Sequence, residues 1–351
     1  MRCLINLSYP TYSNQTSHSF LKEDSLFQLL IPKSYLREMK RALVTDYVHP
    51  TLISGLEERG YVVDYETSVD MLVLSTIIHK YEVVVINSKI KMFSELIDKA
   101  TQLKYICRLG SGLEIIDLEY AAKKEIHVIN TPSGNNNAVA EHAMGMLLSL
   151  ANNLIQADRE VRDFQWNREL NRGWELKGKT VGIIGFGHTG SQFAKKMSSW
   201  ELDVISYDKY REEYGPEWDF VERVNLEDIL NRSDILSLHL PLTKEVIHLV
   251  NEEFINRCKD KVIILNTSRG KVIKTIDLVK ALENGKVGGA CLDVFENEKP
   301  HTYSLSETNT YTRLNALHNT VLSPHVAGWT HESLENIAKV MLEKYDEFEN
   351  I

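Results

Sequence analysis

Short β-branched runs alternate with amphipathic stretches along most of the chain. From Arg41 onward, runs such as Ala42–Asp46 and Glu82–Ile86 predict buried strands, and stretches such as Leu52–Arg59 carry the apolar spacing of a helix. Strands that alternate with helices of this length are joined by right-handed crossovers and lie parallel. Residues 41–134 are therefore predicted to form one doubly wound, flavodoxin-like domain.

A second alternation of the same kind begins at Lys179, with strands predicted from Thr180–Ile184 to Val287–Leu292. It predicts a Rossmann domain over residues 135–328, with the boundary near Gly134. The closing helical pattern, within residues 329–351, is expected to complete the first domain. The fold class is thus α/β, with two doubly wound parallel-sheet (Rossmann-like) domains and an active-site cleft between them.

Three segments depart from this alternation. Residues 1–40 hold a polar stretch and then an amphipathic one, which indicates an N-terminal extension. Ala138–Phe164 carries few helix breakers and predicts one long helix. Residues 294–319 are polar and predict a loop before a last strand at Thr320–Ser323.

A glycine-rich motif joins the strand Thr180–Ile184 to the helical pattern that follows. Gly185, Gly187 and Gly190 form GxGxxG, in which the glycines allow a tight turn, a close backbone approach to a pyrophosphate, and close helix–strand packing. The start of the helix offers free N–H groups to the phosphates. The motif predicts a dinucleotide cofactor.

The next strand indicates which dinucleotide binds. Asp208 ends it, eighteen residues after Gly190. A carboxylate there can bind the ribose hydroxyls and repels a 2′-phosphate, which predicts NAD. Lys209 and Arg211 follow closely and leave some tolerance of NADP open.

Six strings along the chain resemble the D-isomer-specific 2-hydroxyacid dehydrogenase family, in the family's order and from about Arg41 to the C-terminus. The nearest branch is that of the 3-phosphoglycerate dehydrogenases. The strings are Arg108–Asp117, Asn130–Gly134 leading to Ala140–His142, Leu240–Thr243, Leu265–Gly270, Leu292–Glu298 and Ser323–Gly328.

The resemblance implies a catalytic set of Arg269, Glu298 and His325. Arg269 matches the arginine that holds the substrate carboxylate, a task for a permanently charged two-bond donor. His325 matches the acid/base, whose pKa near neutrality suits proton transfer. Glu298 matches its carboxylate partner, although Glu296 lies only two residues away and could be mistaken for it.

The same resemblance implies further binding residues. Asp293 matches a position near the nicotinamide carboxamide. The other cofactor positions are His188, Thr189, His239, Pro241, Thr243, Thr267, Ser268 and Gly328. The turn of Leu109, Gly110, Ser111 and Gly112 is expected to bring backbone amides to the substrate carboxylate, beside Arg108.

The resemblance implies a small D-2-hydroxy acid or 2-keto acid as the substrate, and it leaves the identity of the substrate's side chain open. Arg108 matches a basic position of the phosphoglycerate branch, but Asn87-Ser88 stands where that branch carries Arg-Ser, with Lys89 beyond. An asparagine gives no charge-assisted bond to a phosphate. The alternative from another class is an NAD-sensing, co-repressor-like scaffold on the same fold. A turnover assay separates the two.

Composition limits the binding partners and the cellular compartment that we expect for this protein. The 351 residues suffice for two domains, and the net charge of −9 argues against nucleic acid or an anionic membrane. No apolar run is long enough to span a membrane, and no His/Cys/Asp cluster has metal spacing. The four scattered cysteines predict reduced thiols and a cytoplasmic protein. The family resemblance and the long helix from Ala138 predict a homodimer. The histidines outside the site, including His49, are interpreted as surface or packing residues.

Overall fold

A computed structural model describes residues 39–350, so all of the expected N-terminal extension except Met39 and Lys40 lies outside the described residues. The first sheet has five parallel strands in the order β2-β1-β3-β4-β5, which is the flavodoxin order. Its strands are β1 (Arg41–Val44), β2 (Val62–Tyr65), β3 (Val83–Ile86), β4 (Tyr105–Arg108) and β5 (His127–Asn130).

Helices cover both faces of the first sheet. On one face Leu43, Val84 and Ile106 pack against three short helices, and on the other Val83 and Val85 pack against two longer ones. The short helices are α2 (Met71–Ile77), α3 (Ser94–Ile97) and α4 (Leu118–Lys123). The two longer helices on the opposite face are α1 (Pro50–Glu58) and the last helix of the chain. Because β3 is buried on both faces, all four of its residues are apolar.

The second sheet has seven parallel strands in the order β12-β11-β10-β9-β6-β7-β8. The strand order reverses between β6 and β9, which is where open α/β sheets bind ligands. The strands are β6 (Thr180–Ile184), β7 (Asp203–Tyr207), β8 (Val221–Arg223), β9 (Ile235–Leu238), β10 (Val262–Asn266), β11 (Val287–Leu292) and β12 (Thr320–Leu322). The edge strand β8 was not predicted, because it buries only Val221.

The predicted long helix Ala138–Phe164 is wrong in one respect, since the structure breaks it in two. Helix α5 (Asn136–Ala151) ends at Asn152, and α6 (Leu154–Arg162) begins after Asn153. Asn153 adopts a left-handed conformation with φ of 52°, which asparagine tolerates and which terminates a helix. Helix α5 packs against the second sheet, whereas α6 turns away from it.

The predicted loop at residues 294–319 is also wrong, because it contains helix α11 (Leu305–Ala316). A capping box starts this helix: Ser304 Oγ accepts from the backbone N–H of Glu307, whose carboxylate accepts from the Ser304 N–H. Only Thr310, Tyr311 and Leu314 are buried, so the helix has a narrow apolar face that the polar composition masks.

The remaining helices of the second sheet lie on both its faces: α5 and α7 (His188–Met197) on one, and α8 (Leu226–Arg232), α9 (Glu252–Arg257), α10 (Thr275–Glu283) and α11 on the other. The closing helix α12 (His331–Glu349) returns to the first sheet and packs beside α1. There the hydroxyls of Tyr61 and Tyr345 lie 2.8 Å apart, and Arg59 Nε donates to Asp346 at 2.6 Å. No helix within residues 39–350 combines the length and apolarity needed to cross a membrane.

Candidate active site

The carboxyl ends of the strands in both sheets face a common cleft of about 660 Å³. Loops after β1, β3, β4 and β5 line one wall, and loops after β6, β9, β10, β11 and β12 line the other. Parallel strands end at one edge of a sheet, so residues distant in sequence meet here.

The glycine-rich turn after β6 has the shape that a dinucleotide needs. Gly185 has φ of +92°, and a side chain there would strike the carbonyl of His239. A side chain at Gly190 would strike the carbonyl of Gly185, whereas Gly187 faces open space at the cleft. Helix α7 therefore begins directly at the cleft, with Gly187, His188 and Thr189 in its wall.

Asp208, at the end of β7, binds the backbone of two loops. Its Oδ2 accepts from the N–H of Phe186 at 2.7 Å, and its Oδ1 accepts from those of Tyr210 and Arg211 at 2.9 and 3.0 Å. Arg211 in turn donates from Nη1 to the Phe186 carbonyl at 3.0 Å. The carboxylate is thus fixed beside the glycine-rich turn.

Two polar side-chain atoms in the wall fit a bound cofactor. Among residues 39–350, Nδ1 of His239 and Oγ1 of Thr267 are buried without a hydrogen-bond partner, and both residues line the cleft. Burial lowers the pKa of His239 to about 4, so its imidazole is neutral. Buried polar atoms are normally paired, so these two are suited to the polar groups of a nicotinamide dinucleotide.

Asp293 organises the loop that carries His325. Its carboxylate is buried and accepts from Ser323 Oγ at 2.6 Å and from the N–H groups of Val326 and Ala327 at 2.9 Å each. Its backbone carbonyl accepts from the His325 N–H at 2.7 Å. Asp293 also lines the cleft, as expected, but these contacts make it the anchor of the loop after β12.

His325 and Glu298 form a hydrogen-bonded pair at this loop. Nδ1 of His325 lies 2.9 Å from Oε2 of Glu298, and the backbone of His325 is left-handed, with φ of 57°. Non-glycine residues in this conformation cluster at functional sites, where surrounding contacts hold them. The hydrogen bond that His325 donates to Glu298, together with the charge of that carboxylate, raises the pKa of His325 against the opposing effect of burial.

The structure distinguishes Glu298 from Glu296. Burial alone would raise the pKa of Glu298, but the hydrogen bond and charge of His325 outweigh it and lower that pKa. Glu296 turns the other way, where its Oε1 lies 2.6 Å from Nε2 of His248 and its Oε2 accepts from the Thr275 N–H at 2.6 Å.

Arg269 follows β10 and reaches across the cleft. Its Nε donates to Oε1 of Glu114, in the loop after β4, at 2.8 Å, and its Nη1 donates to the Ser268 carbonyl at 2.8 Å. Glu114 was not predicted as a site residue, because nothing in the sequence indicates its contact with a residue 155 positions away.

Arg108 is a second arginine in the cleft wall, near Arg269. Its Nη1 donates to the Leu109 carbonyl, and its Nε is buried without a partner among the described residues. Burial, and then the charge of Arg269, lower the pKa of its guanidinium. Lys89 adds no cation to this wall, since its Nζ donates to the Thr67 carbonyl at 2.6 Å and lies 4.0 Å from Asp46.

The cleft brings together most of the predicted site residues. Its lining includes Arg108, Leu109, Gly110, Ser111, Gly187, His188, Thr189, His239, Pro241, Thr267, Ser268, Arg269, Asp293, His325 and Gly328. Gly112, Gly185, Gly190, Asp208, Thr243 and Glu298 do not contribute to that lining. His49 also lines the cleft, and its Nδ1 accepts from the backbone N–H of Thr51 at the start of α1.

The sequence and the fold were compared with those of known proteins. Residues 144–327 match the family described as D-isomer specific 2-hydroxyacid dehydrogenase, NAD binding domain. The chain is 38% identical over 258 residues to the glyoxylate reductase of Thermococcus litoralis, covering 72% of this chain and 75% of that protein. It is 35% identical over 303 residues to the D-3-phosphoglycerate dehydrogenase of Archaeoglobus fulgidus, covering 86% of this chain and 56% of that protein.

A solved structure shows the same arrangement. The D-lactate dehydrogenase of Aquifex aeolicus, complexed with NAD and lactic acid, superposes with a TM-score of 0.75 and 29% identity, over 89% of this chain and 97% of that one. The chain belongs to the D-isomer-specific 2-hydroxyacid dehydrogenase family. It spans little more than half the length of the phosphoglycerate dehydrogenase that it matches.

Proposed function

We propose that the protein is an NAD-dependent oxidoreductase that interconverts a small 2-keto acid and the corresponding D-2-hydroxy acid. The observation that carries the proposal is one cleft lined by Gly187 of the glycine-rich turn, by Arg269, and by His325, which is hydrogen-bonded to Glu298. Relatives named as reductases and dehydrogenases support catalysis over a scaffold role.

Each residue of the set has a defined task in this reaction. Arg269 binds the carboxylate of the keto acid through two parallel N–H donors, which fixes the 2-carbon in the cleft. His325, protonated, donates to the developing alkoxide, and Glu298 keeps the imidazolium charged and oriented. When bound, the nicotinamide supplies the hydride. In the oxidative direction His325 is neutral and accepts the hydroxyl proton.

The substrate side chain is proposed to be small and unphosphorylated. Asn87 lies in the wall and carries no charge, and its backbone N–H donates to Oδ2 of Asp46 at 3.0 Å. Neither Asp46 nor Lys89 lines the cleft, and Lys89, which lies 4.0 Å from Asp46 and donates to the Thr67 carbonyl, adds no cation for a phosphate. Among the described residues of the cleft wall, Arg108 offers a full positive charge besides Arg269, which suits a single additional polar or anionic group.

NAD(H) is proposed as the preferred cofactor over NADP(H). Asp208 is held by three backbone N–H groups next to the glycine-rich turn. A fixed carboxylate there accepts from the ribose hydroxyls and repels a 2′-phosphate.

A homodimer is proposed from the surface of α6 and the segment after it. Helix α6 buries none of its residues against the rest of residues 39–350. Side chains of the following apolar residues are exposed: Leu154 at 53%, Ile155 at 39%, Val161 at 51%, Phe164 at 98%, Trp166 at 79% and Leu170 at 71%. Apolar clusters of this kind on a single chain mark an interface, and a second copy is the proposed partner.

We also propose a division into two domains and a cellular location. Residues 41–134 with α12 form the substrate-binding domain, and residues 135–328 form the NAD-binding domain, as the two sheets and their helices suggest. A cytoplasmic location is proposed because Cys107, Cys258 and Cys291 are free and buried thiols, which suits a reducing compartment.

The experiment is NADH oxidation by the purified protein with a panel of 2-keto acids. The panel is glyoxylate, hydroxypyruvate, pyruvate and 3-phosphohydroxypyruvate, with NADPH in a parallel series. We expect turnover of at least one unphosphorylated acid, with a higher kcat/KM than 3-phosphohydroxypyruvate. Absence of turnover with the whole panel contradicts the proposed function, whereas a preference for the phosphorylated acid contradicts only the substrate class.

A further inference from the structure

An ion pair crosses the cleft at the proposed carboxylate-binding arginine. Glu114 follows the first sheet and Arg269 follows the second, and their carboxylate and guanidinium lie 2.8 Å apart. Their side chains are 32% and 23% exposed, so the pair is partly shielded from water. Neither the family likeness nor the predicted catalytic set assigns a role to Glu114.

The pair engages one particular edge of the guanidinium. Nε of Arg269 donates to Glu114, and one hydrogen of Nη1 is taken by the Ser268 carbonyl. A guanidinium is a planar fork with five N–H donors, so the terminal edge, formed by Nη2 and the other hydrogen of Nη1, stays available. That edge has no further hydrogen-bond partner within residues 39–350. It is the edge that can bind a carboxylate with two parallel bonds.

The backbone of Gly112 lies close against one side of the pair. A side chain at Gly112 would collide with both Nη2 of Arg269 and Oε2 of Glu114, so this glycine packs directly on the pair. Burial alone would raise the pKa of Glu114, but the charge and hydrogen bond of Arg269 outweigh it and lower that pKa. Glu114 is therefore ionised under the conditions in which the arginine binds substrate.

We infer that Glu114 is a positioning residue for Arg269, and this inference rests on the proposed function. By holding the Nε edge, Glu114 aims the terminal edge of the guanidinium at the carboxylate of the 2-keto acid. Because Glu114 belongs to the loop of Gly110 and Ser111, the same contact sets the arginine against the amides of that turn. Its charge also offsets one of the two guanidiniums, Arg108 and Arg269, which suits a monoanionic substrate.

The opposite role is a competitor, in which Glu114 occupies Arg269 until a substrate displaces it. The two roles differ in the sign of one effect. Loss of a positioning residue lowers kcat, whereas loss of a competitor lowers KM for the keto acid and leaves or raises kcat. Glu114→Gln keeps the shape of the side chain and removes its charge, so it separates the two.

The test is steady-state reduction of the best keto acid by Glu114→Gln and Glu114→Asp, with Glu119→Gln as the matched control on the exposed start of α4. We expect Glu114→Gln to lower kcat by roughly 10- to 100-fold, the order expected for a misplaced substrate. Glu114→Asp, which keeps the charge on a shorter side chain, should lose less. The NADH dissociation constant and the melting temperature should match those of the wild type and of Glu119→Gln.

A double-mutant cycle shows whether Glu114 acts through Arg269. A lysine ammonium has no planar edge to be aimed, so in the Arg269→Lys background Glu114→Gln should cause no further loss of kcat/KM. The same fold loss in both backgrounds, unchanged kcat in the wild-type background, or a fall in KM alone would overturn the inference. If the wild-type protein reduces no keto acid, the proposed function is wrong, and the positioning role of Glu114 is wrong with it.

Discussion

Nδ1 of His325 lies 2.9 Å from Oε2 of Glu298, at the end of a loop whose backbone is held by the buried carboxylate of Asp293. The pair leaves Nε2 of the imidazole as the second proton-carrying atom, in a residue that lines the same cleft as Arg269. The raised pKa of His325 keeps the imidazolium populated closer to neutral pH than a free histidine would.

Replacement of Glu298 should move the pH dependence of the reaction. Reduction requires protonated His325, so its rate falls as the pH rises through the pKa of that residue. Glu298→Gln removes the main group that raises this pKa, and the falling limb should shift to lower pH. In the oxidative direction, which needs neutral His325, the rising limb should shift to lower pH as well.

The matched control for this prediction is Glu296→Gln, two positions away, because Glu296 pairs with His248 and Thr275 instead. Its kcat-against-pH profiles in both directions should follow those of the wild type. A profile that shifts in Glu296→Gln but not in Glu298→Gln would show that the wrong glutamate has been assigned.

Arg269→Lys should damage catalysis although the charge is kept. One ammonium cannot make the two parallel bonds of a guanidinium to a carboxylate. The loss of one charge-assisted hydrogen bond, about 1.5–3 kcal/mol, corresponds to a fall in kcat/KM of roughly 10- to 100-fold. Arg313→Lys, in a surface pair with Glu283, is the control and should keep wild-type kcat/KM. Equal kcat/KM values for Arg269→Lys and the wild type would contradict the proposed binding of the substrate carboxylate by Arg269.

The preference for NAD(H) should depend on the charge of Asp208. Asp208→Asn should weaken NADH binding and strengthen NADPH binding, narrowing the ratio of their dissociation constants by roughly tenfold or more, about 1.4 kcal/mol. The control is Asp203→Asn, at the exposed start of the same strand. Fluorescence titration gives both constants. Equal dissociation constants of NADH and NADPH in the wild type would refute the proposed preference for NAD(H).

The exposed apolar residues of α6 and of the segment after it should form the contact between two copies of the chain. Sedimentation equilibrium of the wild type at micromolar concentration should give twice the chain mass of 40.2 kDa. Phe164→Asp combined with Trp166→Asp should give the single-chain mass, because two charges would be buried in the interface. Leu305→Asp, on a residue that is 93% exposed elsewhere, should leave the wild-type mass unchanged. A monomeric wild type would exclude the interface.

The sequence pattern predicted both sheets because buried parallel strands carry continuous apolar runs, as in β3 and in the first four residues of β10. It missed the break at Asn153 because helix propensity does not report a left-handed residue between two helical stretches. It missed α11 because that helix buries only three residues on an otherwise polar surface. Both errors lie at positions whose local signals, Asn153 and the capping box of Ser304 and Glu307, are not registered by hydrophobic periodicity.

The site was predictable to the extent that its residues follow strands. Gly185, His239, Arg269 and His325 each come just after a strand, and the sheet brings strand ends together. Glu114 could not be found in this way, because its role depends on a contact between the loops of two different sheets. The anchoring contacts of Asp293 likewise appear only once the loop after β12 is folded.

The central claim is that His325 supplies the proton in keto acid reduction. It is tested most directly by the steady-state reduction of the best keto acid by His325→Ala and the wild type across pH. We expect kcat to fall by roughly 10²- to 10⁴-fold and the limb assigned to His325 to disappear, with the NADH dissociation constant unchanged. Near-normal turnover of His325→Ala at every pH would mean that the proton comes from another group.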